Sequence, residues 1–159
     1  MTKLSKSNLN SIAFQGQSGA YSEMACTEVF PEMQTVSCAN FEDAFEAVIN
    51  GTTKYAMIPI ENSRAGRVAD IHNLLKDSSL HIVKEYFYSV NHQLLGLEGS
   101  NISDIVSVSS HNQALSQCRN FINKYGWSPI TMGDTAGAAA YIIKNNDIKC
   151  AAIASSLAG

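Results

Sequence analysis

Glu61-Asn62-Ser63-Arg64 closes the apolar run Ala56–Ile60, and Gly66 follows two residues later. These side chains suit a small anion: an amide and a hydroxyl donate hydrogen bonds, and a guanidinium adds charge. Four other segments end in similar chemistry. They are Gln17-Ser18-Gly19 leading into Tyr21-Ser22, then Ser109-Ser110-His111-Asn112-Gln113, Asp134-Thr135 and Ser155-Ser156. One Ser, Asn or Asp in such a place is a helix cap and nothing more. Five together describe a polar cleft suited to carboxylates.

Sharper chemistries find little support. Gly16-Gln-Ser-Gly19 is neither a dinucleotide fingerprint nor a Walker loop. No Cys-His or Ser-His-Asp order stands out, and His111 reads as structural, because sequence neighbours on a strand end point in different directions. A carboxylate at Glu61 would repel an anionic substrate, so that residue reads as a partner for Arg64, Arg67 or a backbone N–H. Cys26, Cys38, Cys118 and Cys150 lie far apart in apolar surroundings and read as reduced thiols. The four histidines show no ligand spacing, so no metal site is expected.

The elements that must carry these residues alternate between strand and helix. Ser11–Phe14 is a strand candidate, followed by a helix from Ala20 to Phe30 that Pro31 stops. Gln34–Cys38 is the next strand. Phe41, Ala44, Phe45, Val48 and Ile49 then recur at helical spacing, with Asn40 as the cap and Gly51 as the stop. Tyr55–Ile60 reads as an interior strand, Val68–Lys76 as a helix and Leu80–Ser89 as a longer strand. From Asn101 the pattern restarts: strand Ile105–Ser109, helix Gln113–Tyr125, strand Pro129–Met132, helix Thr135–Asn145, strand Cys150–Ser155. Ala114, Cys118, Phe121, Ile122 and Tyr125 form the apolar stripe of the first of these helices. Phe14, Phe45 and Trp127 are core candidates.

Alternation of this kind predicts βαβ units with parallel sheets. Two such runs, about 11–88 and 101–155, joined by the connection Tyr86–Ser100, predict two α/β lobes, 11–88 and 89–159, with a cleft between them, the alternative being one continuous doubly wound sheet. In such sheets ligands bind beyond the carboxyl ends of the strands, and all five polar segments fall there. Composition is that of a soluble globular protein: 45% hydrophobic and 16% charged residues, with a net charge of −3. No basic cluster predicts a nucleic acid or membrane partner. The N-terminus lacks an apolar targeting core, and the expected location is the cytoplasm.

Five segments carry a resemblance to a known family: FQGQSGAYSEMA at 14–25, IPIENSRAGRV at 58–68, SSHNQALSQC at 109–118, DTAGAA at 134–139 and AAIASSLA at 151–158. In this order they resemble the catalytic region of prephenate dehydratase. The resemblance implies a two-lobed α/β fold like that of type II periplasmic binding proteins, with mainly parallel sheets flanked by helices. It implies the conversion of prephenate to phenylpyruvate in phenylalanine biosynthesis, without metal or organic cofactor, and a possible homo-oligomer. Carried over residue by residue, it gives catalytic roles to Asn62, Ser63 and Gln113. Substrate-binding roles fall to Gly19, Ala20, Tyr21, Ser22, Ser109, Gln117 and Thr135. The two glutamines are expected on different faces of their helix. A Thr-Arg-Phe motif that ends the family's catalytic region does not occur in these 159 residues, and neither does the phenylalanine-sensing ACT domain. The expectation is therefore a fragment or a truncated gene product. Arogenate dehydratase and a non-catalytic carboxylate-binding module are the competing readings.

Overall fold

A computed structural model of the chain describes residues 10–64 and 66–159. The reading of the N-terminus concerns residues outside that range. The chain divides into two compact units: residues 10–17 with 21–88, and residues 18–20 with 89–159.

Unit 1 is built around β1 (Ser11–Gln15), which follows the expected Ser11–Phe14 closely. Ile12, Ala13 and Phe14 are buried, as an interior parallel strand covered on both faces requires. Helix α1 (Tyr21–Val29), strand β2 (Gln34–Cys38), helix α2 (Phe41–Ile49) and strand β3 (Tyr55–Met57) complete a parallel sheet ordered β2-β1-β3. Asn40 caps α2 through Asp43 N–H at 2.7 Å. Gly51 takes a φ of +69° directly after that helix, the left-handed stop that only glycine adopts without strain. Ala44 and Phe45 are the buried part of the α2 stripe, and Ile49 stays exposed.

Beyond β3 the chain departs from the expected strand. Ile58–Ile60 is not part of the sheet, and a short antiparallel ladder follows, β4 (Glu61–Asn62) with β5 (Gly66–Arg67). Helix α3 (Ala69–Asp77) then packs against α2. The strand expected over Leu80–Ser89 does not form. Among the described residues no strand pairs with it, and strand propensity without a ladder is not enough. Side chains anchor part of this segment instead. Tyr86 donates its hydroxyl hydrogen to Glu28, Tyr88 donates to Met24 Sδ at 3.5 Å, and the rings of Tyr21 and Tyr88 lie 6.3 Å apart. Ile82, Val83 and Phe87 remain exposed, Phe87 at 85%.

Unit 2 holds a four-stranded sheet ordered β6-β9-β7-β8. Its strands are β6 (Gln93–Leu95), β7 (Ser107–His111), β8 (Ser128–Met132) and β9 (Cys150–Ala154). Three run parallel, while β6, absent from the sequence reading, pairs antiparallel with β9. The expected Ile105–Ser109 strand lies two residues later. Helix Gln113–Tyr125 is broken at Cys118 into α4 (Asn112–Gln117) and α5 (Arg119–Tyr125). Helix α6 (Thr135–Asn145) is as expected.

Strand β9 shows how sequence dictates packing here. Its residues alternate between sheet faces, so Cys150, Ala152 and Ala154 meet Ala138, Ala139 and Ile142 of α6. Ala151 and Ile153 point the other way, into a core with Val108, Leu115, Ile122 and Trp127. Trp127 is buried as expected, with the half-exposed Phe121 and Tyr125 rings against it at 5.7 and 4.7 Å.

Candidate active site

The three parallel strands of unit 2 stand side by side as β9-β7-β8, so their carboxyl ends share one edge. Each end leads directly into a polar turn. From β7 the chain passes into α4, where His111 Nδ1 accepts the Gln113 N–H at 3.3 Å. His111 is thus a cap, which agrees with its structural reading. From β8 it passes to Asp134, whose carboxylate accepts the Gly137 N–H at 2.6 Å and places Thr135 as the first residue of α6. From β9 it enters a short 3-10 turn, Ser156–Ala158, capped by Ser155.

The sequence-derived residues of this unit occupy different layers. Gln113 is exposed in the first turn of α4, and Thr135 is half-buried at the start of α6. Gln117 is half-buried, with Oε1 at 2.9 Å from His92 Nε2. Residues 113 and 117 are one helical turn apart and share a face of α4, which corrects the expectation of different faces. Ser109 is 0% exposed, and its hydroxyl donates to the Ala151 carbonyl at 3.2 Å inside the sheet. That hydroxyl is enclosed by the unit's own backbone. Ser110 makes the equivalent bond to the Ile153 carbonyl at 2.5 Å.

In unit 1 the opening motif forms the β4–β5 turn. Asn62 Oδ1 accepts the Arg64 N–H at 2.9 Å, a side chain closing its own backbone turn. Gly66 completes the turn with a φ of +83°. Asn62 is half-buried, while Glu61, Ser63, Arg64 and Arg67 are exposed. The ladder places Glu61 opposite Arg67 in register. Tyr21 and Ser22 open α1, where the positive end of the helix dipole favours anions. Gly19 and Ala20, immediately before them, belong to the compact unit of residues 89–159.

Two features escaped the sequence reading. His92 lies in the segment taken as a connection, and nothing local marks it as a neighbour of Gln117. Ser155 was visible only as a strand-end serine, whereas its hydroxyl donates to the Gly19 carbonyl across 136 residues of chain. Burial raises the Cys26 thiol to about 12, helped by the nearby Glu23 carboxylate, and raises Cys38 in the same direction with Asp43 contributing. Both shifts favour the neutral thiol over the thiolate. Among the described residues no group of three or more His, Cys, Asp or Glu could hold a metal ion.

Comparison with known proteins gives a consistent result. The family model for prephenate dehydratase matches residues 12–159. A bifunctional N-acyl-homoserine lactone acylase/prephenate dehydratase from Komagataeibacter europaeus is 43% identical over 147 residues, covering 92% of this chain and 52% of that protein. Arogenate dehydratase/prephenate dehydratase 1 from Arabidopsis thaliana is 46% identical over 144 residues, covering 91% of this chain and 37% of that protein. Among solved structures, the prephenate dehydratase of Arthrobacter aurescens in complex with L-Phe superposes with a TM-score of 0.86 at 27% identity. That alignment covers 93% of this chain and 50% of the other. The chain thus spans about half the length of these relatives or less. With the family model matched from the first strand to the last residue, this chain belongs to the prephenate dehydratase family.

Proposed function

We propose that the protein containing this chain is a prephenate dehydratase, a carbon–oxygen lyase acting in phenylalanine biosynthesis. The observation that supports it above all is the family match over residues 12–159, which includes every polar strand end described here. Prephenate carries two carboxylates and a ring hydroxyl. The carbon–carbon bond to the ring carboxylate breaks and its electron pair enters the ring. The carbon–oxygen bond to the hydroxyl breaks, and one proton is taken up as that oxygen leaves as water. Phenylpyruvate and carbon dioxide are the other products.

Aromatisation drives this elimination, so the protein's task is to orient the substrate and ease departure of the hydroxyl. Neutral donors suit a dianion, because they bind charge without adding a competing carboxylate. Asn62 and Gln113 supply amide N–H groups, and Ser63 supplies a hydroxyl for the departing oxygen. The Gly19–Ser22 turn, Gln117 and Thr135 hold the carboxylates. Ser109, with its hydroxyl enclosed in the sheet, is left out of the contact set.

A second reading, arogenate as substrate, is favoured by the 46% identity to a plant enzyme named for both activities. Both are tested with the protein encoded by the complete reading frame, assayed for product formation from prephenate and from arogenate. An N-acyl-homoserine lactone serves as a third substrate, given the Komagataeibacter relative's name. Turnover of prephenate at a rate well above the other two is expected. Failure to convert either prephenate or arogenate would refute the lyase reading.

A further inference from the structure

Residues 18–20 leave β1 and open helix α1, yet they group with residues 89–159 rather than with the strand and helix they connect. What holds them there is a joint of three residues. Ser155 is 0% exposed, and its hydroxyl hydrogen goes to the Gly19 carbonyl. The same oxygen accepts the Ala158 N–H at 3.3 Å, capping the 3-10 turn. One hydroxyl therefore ties the turn before α1 to the turn after β9.

Gly19 is fitted to this joint in two ways. Its φ of +90° is a conformation that residues with a Cβ rarely adopt. A Cβ placed on it would also meet the Ala158 Cα at 2.9 Å and its Cβ at 3.0 Å. The close approach is to backbone, which cannot move aside as a side-chain end can. Ser155 and Gly19 thus require each other: the hydroxyl needs the carbonyl within reach, and the carbonyl comes within reach only where position 19 has no side chain.

We propose that Ser155 is a positioning residue for the dehydratase site, holding Gly19 and Ala20 in their substrate-binding geometry. This rests on the lyase reading given above. Gly19 and Ala20 belong to the same compact unit as Ser155, and the Ser155 hydroxyl fixes the peptide between them by holding its carbonyl. A peptide released from Ser155 is averaged over several orientations, and small misplacements at a reacting centre are costly in rate. Ser155 reaches the substrate only through Gly19.

The test uses the protein from the complete reading frame, with Ser155→Ala and Gly19→Ala singly and together. Ser155→Ala is expected to lower kcat/KM about 10- to 100-fold and to speed amide hydrogen exchange selectively over residues 17–22. Because both substitutions open one joint, the double variant should lose little more than the worse single variant. Should Ser155→Ala fail to fold, Gly19→Ala carries the same readouts. A wild-type protein that converts prephenate beside a Ser155→Ala variant of unchanged kcat/KM overturns the proposal while leaving the lyase reading intact. Multiplying losses in the double variant, or exchange accelerated evenly along the whole chain, also overturn it. If the wild-type protein converts no substrate, the lyase reading falls, and selective exchange over residues 17–22 still decides whether the joint exists.

Discussion

Replacing Asn62 separates two roles that one side chain performs at opposite ends of its amide. The oxygen accepts the Arg64 N–H at 2.9 Å and closes the β4–β5 turn. The nitrogen is the donor assigned to the substrate. Asn62→Ala removes both. The lost turn bond, at a half-buried site, costs about 0.5–1.5 kcal/mol, which for a chain of this size lowers Tm by roughly 1–6 °C. Loss of a well-placed donor costs roughly 10²–10³ in turnover. Asn62→Asp is the sharper perturbation, because a carboxylate oxygen still accepts the Arg64 N–H and stability should stay within about 0.5 kcal/mol of wild type. It also puts a negative charge where a carboxylate substrate must bind. At about 4 Å and an effective dielectric near 20, that repulsion is worth about 4 kcal/mol. The aspartate variant should therefore be the more stable of the two and the less active. Thermal unfolding and prephenate turnover, measured on both variants of the complete protein, check the ordering. Near wild-type turnover by Asn62→Asp would refute the donor role and leave Asn62 as a turn residue only.

Three further outcomes follow from particular contacts. The thiol of Cys26 is raised from 9.0 to about 12 by burial, so its neutral form favours the fold. Stability from this group is fully present below the ordinary value and is lost as pH rises through about 12; unfolding free energy should fall across that window more steeply in wild type than in Cys26→Ala, measured by denaturant titration. Asp134 caps α6 through Gly137 N–H, so Asp134→Ala should cost about 1 kcal/mol while Asp134→Asn stays close to wild type in Tm. Trp127 is the chain's single tryptophan and lies buried in the unit 2 core, so Trp127→Ala should cost about 3–5 kcal/mol, and in wild type its fluorescence should follow unfolding of that unit.

Local pattern made much of this fold legible. The 3.6-residue stripe of Phe41–Ile49, its Asn40 cap and its Gly51 stop all act within one short segment, and α2 forms with those features in place. The same holds for α6, where Asp134 and an alanine-rich face suffice. Errors arose where pairing decides structure. Leu80–Ser89 has strand composition but no ladder, whereas Gln93–Leu95, with little to mark it, pairs with β9 because a neighbouring backbone is there. Ile58–Ile60, expected as the end of a strand, lies outside the sheet, and just beyond it Asn62 bonds to its own chain two residues on and turns it back.

The site divides along the same line. Residue types at strand ends can be read from sequence, because capping and anion binding draw on the same small polar side chains. What each one faces cannot be read that way. Ser109 and Ser155 both stand beside a second serine at the end of an apolar run, and both are fully buried. Yet Ser109 donates into its own sheet, while Ser155 reaches the turn before α1. The difference lies in a partner 136 positions away, which only the folded chain brings into range. In an α/β architecture every parallel neighbour requires a crossover, so strand ends adjacent in space are distant in sequence. Sites assembled at those ends inherit that separation. Their chemistry is written locally and their geometry is not, and the bonds that fix geometry, such as Ser155 to Gly19, are therefore the ones that mutation of the complete protein must test.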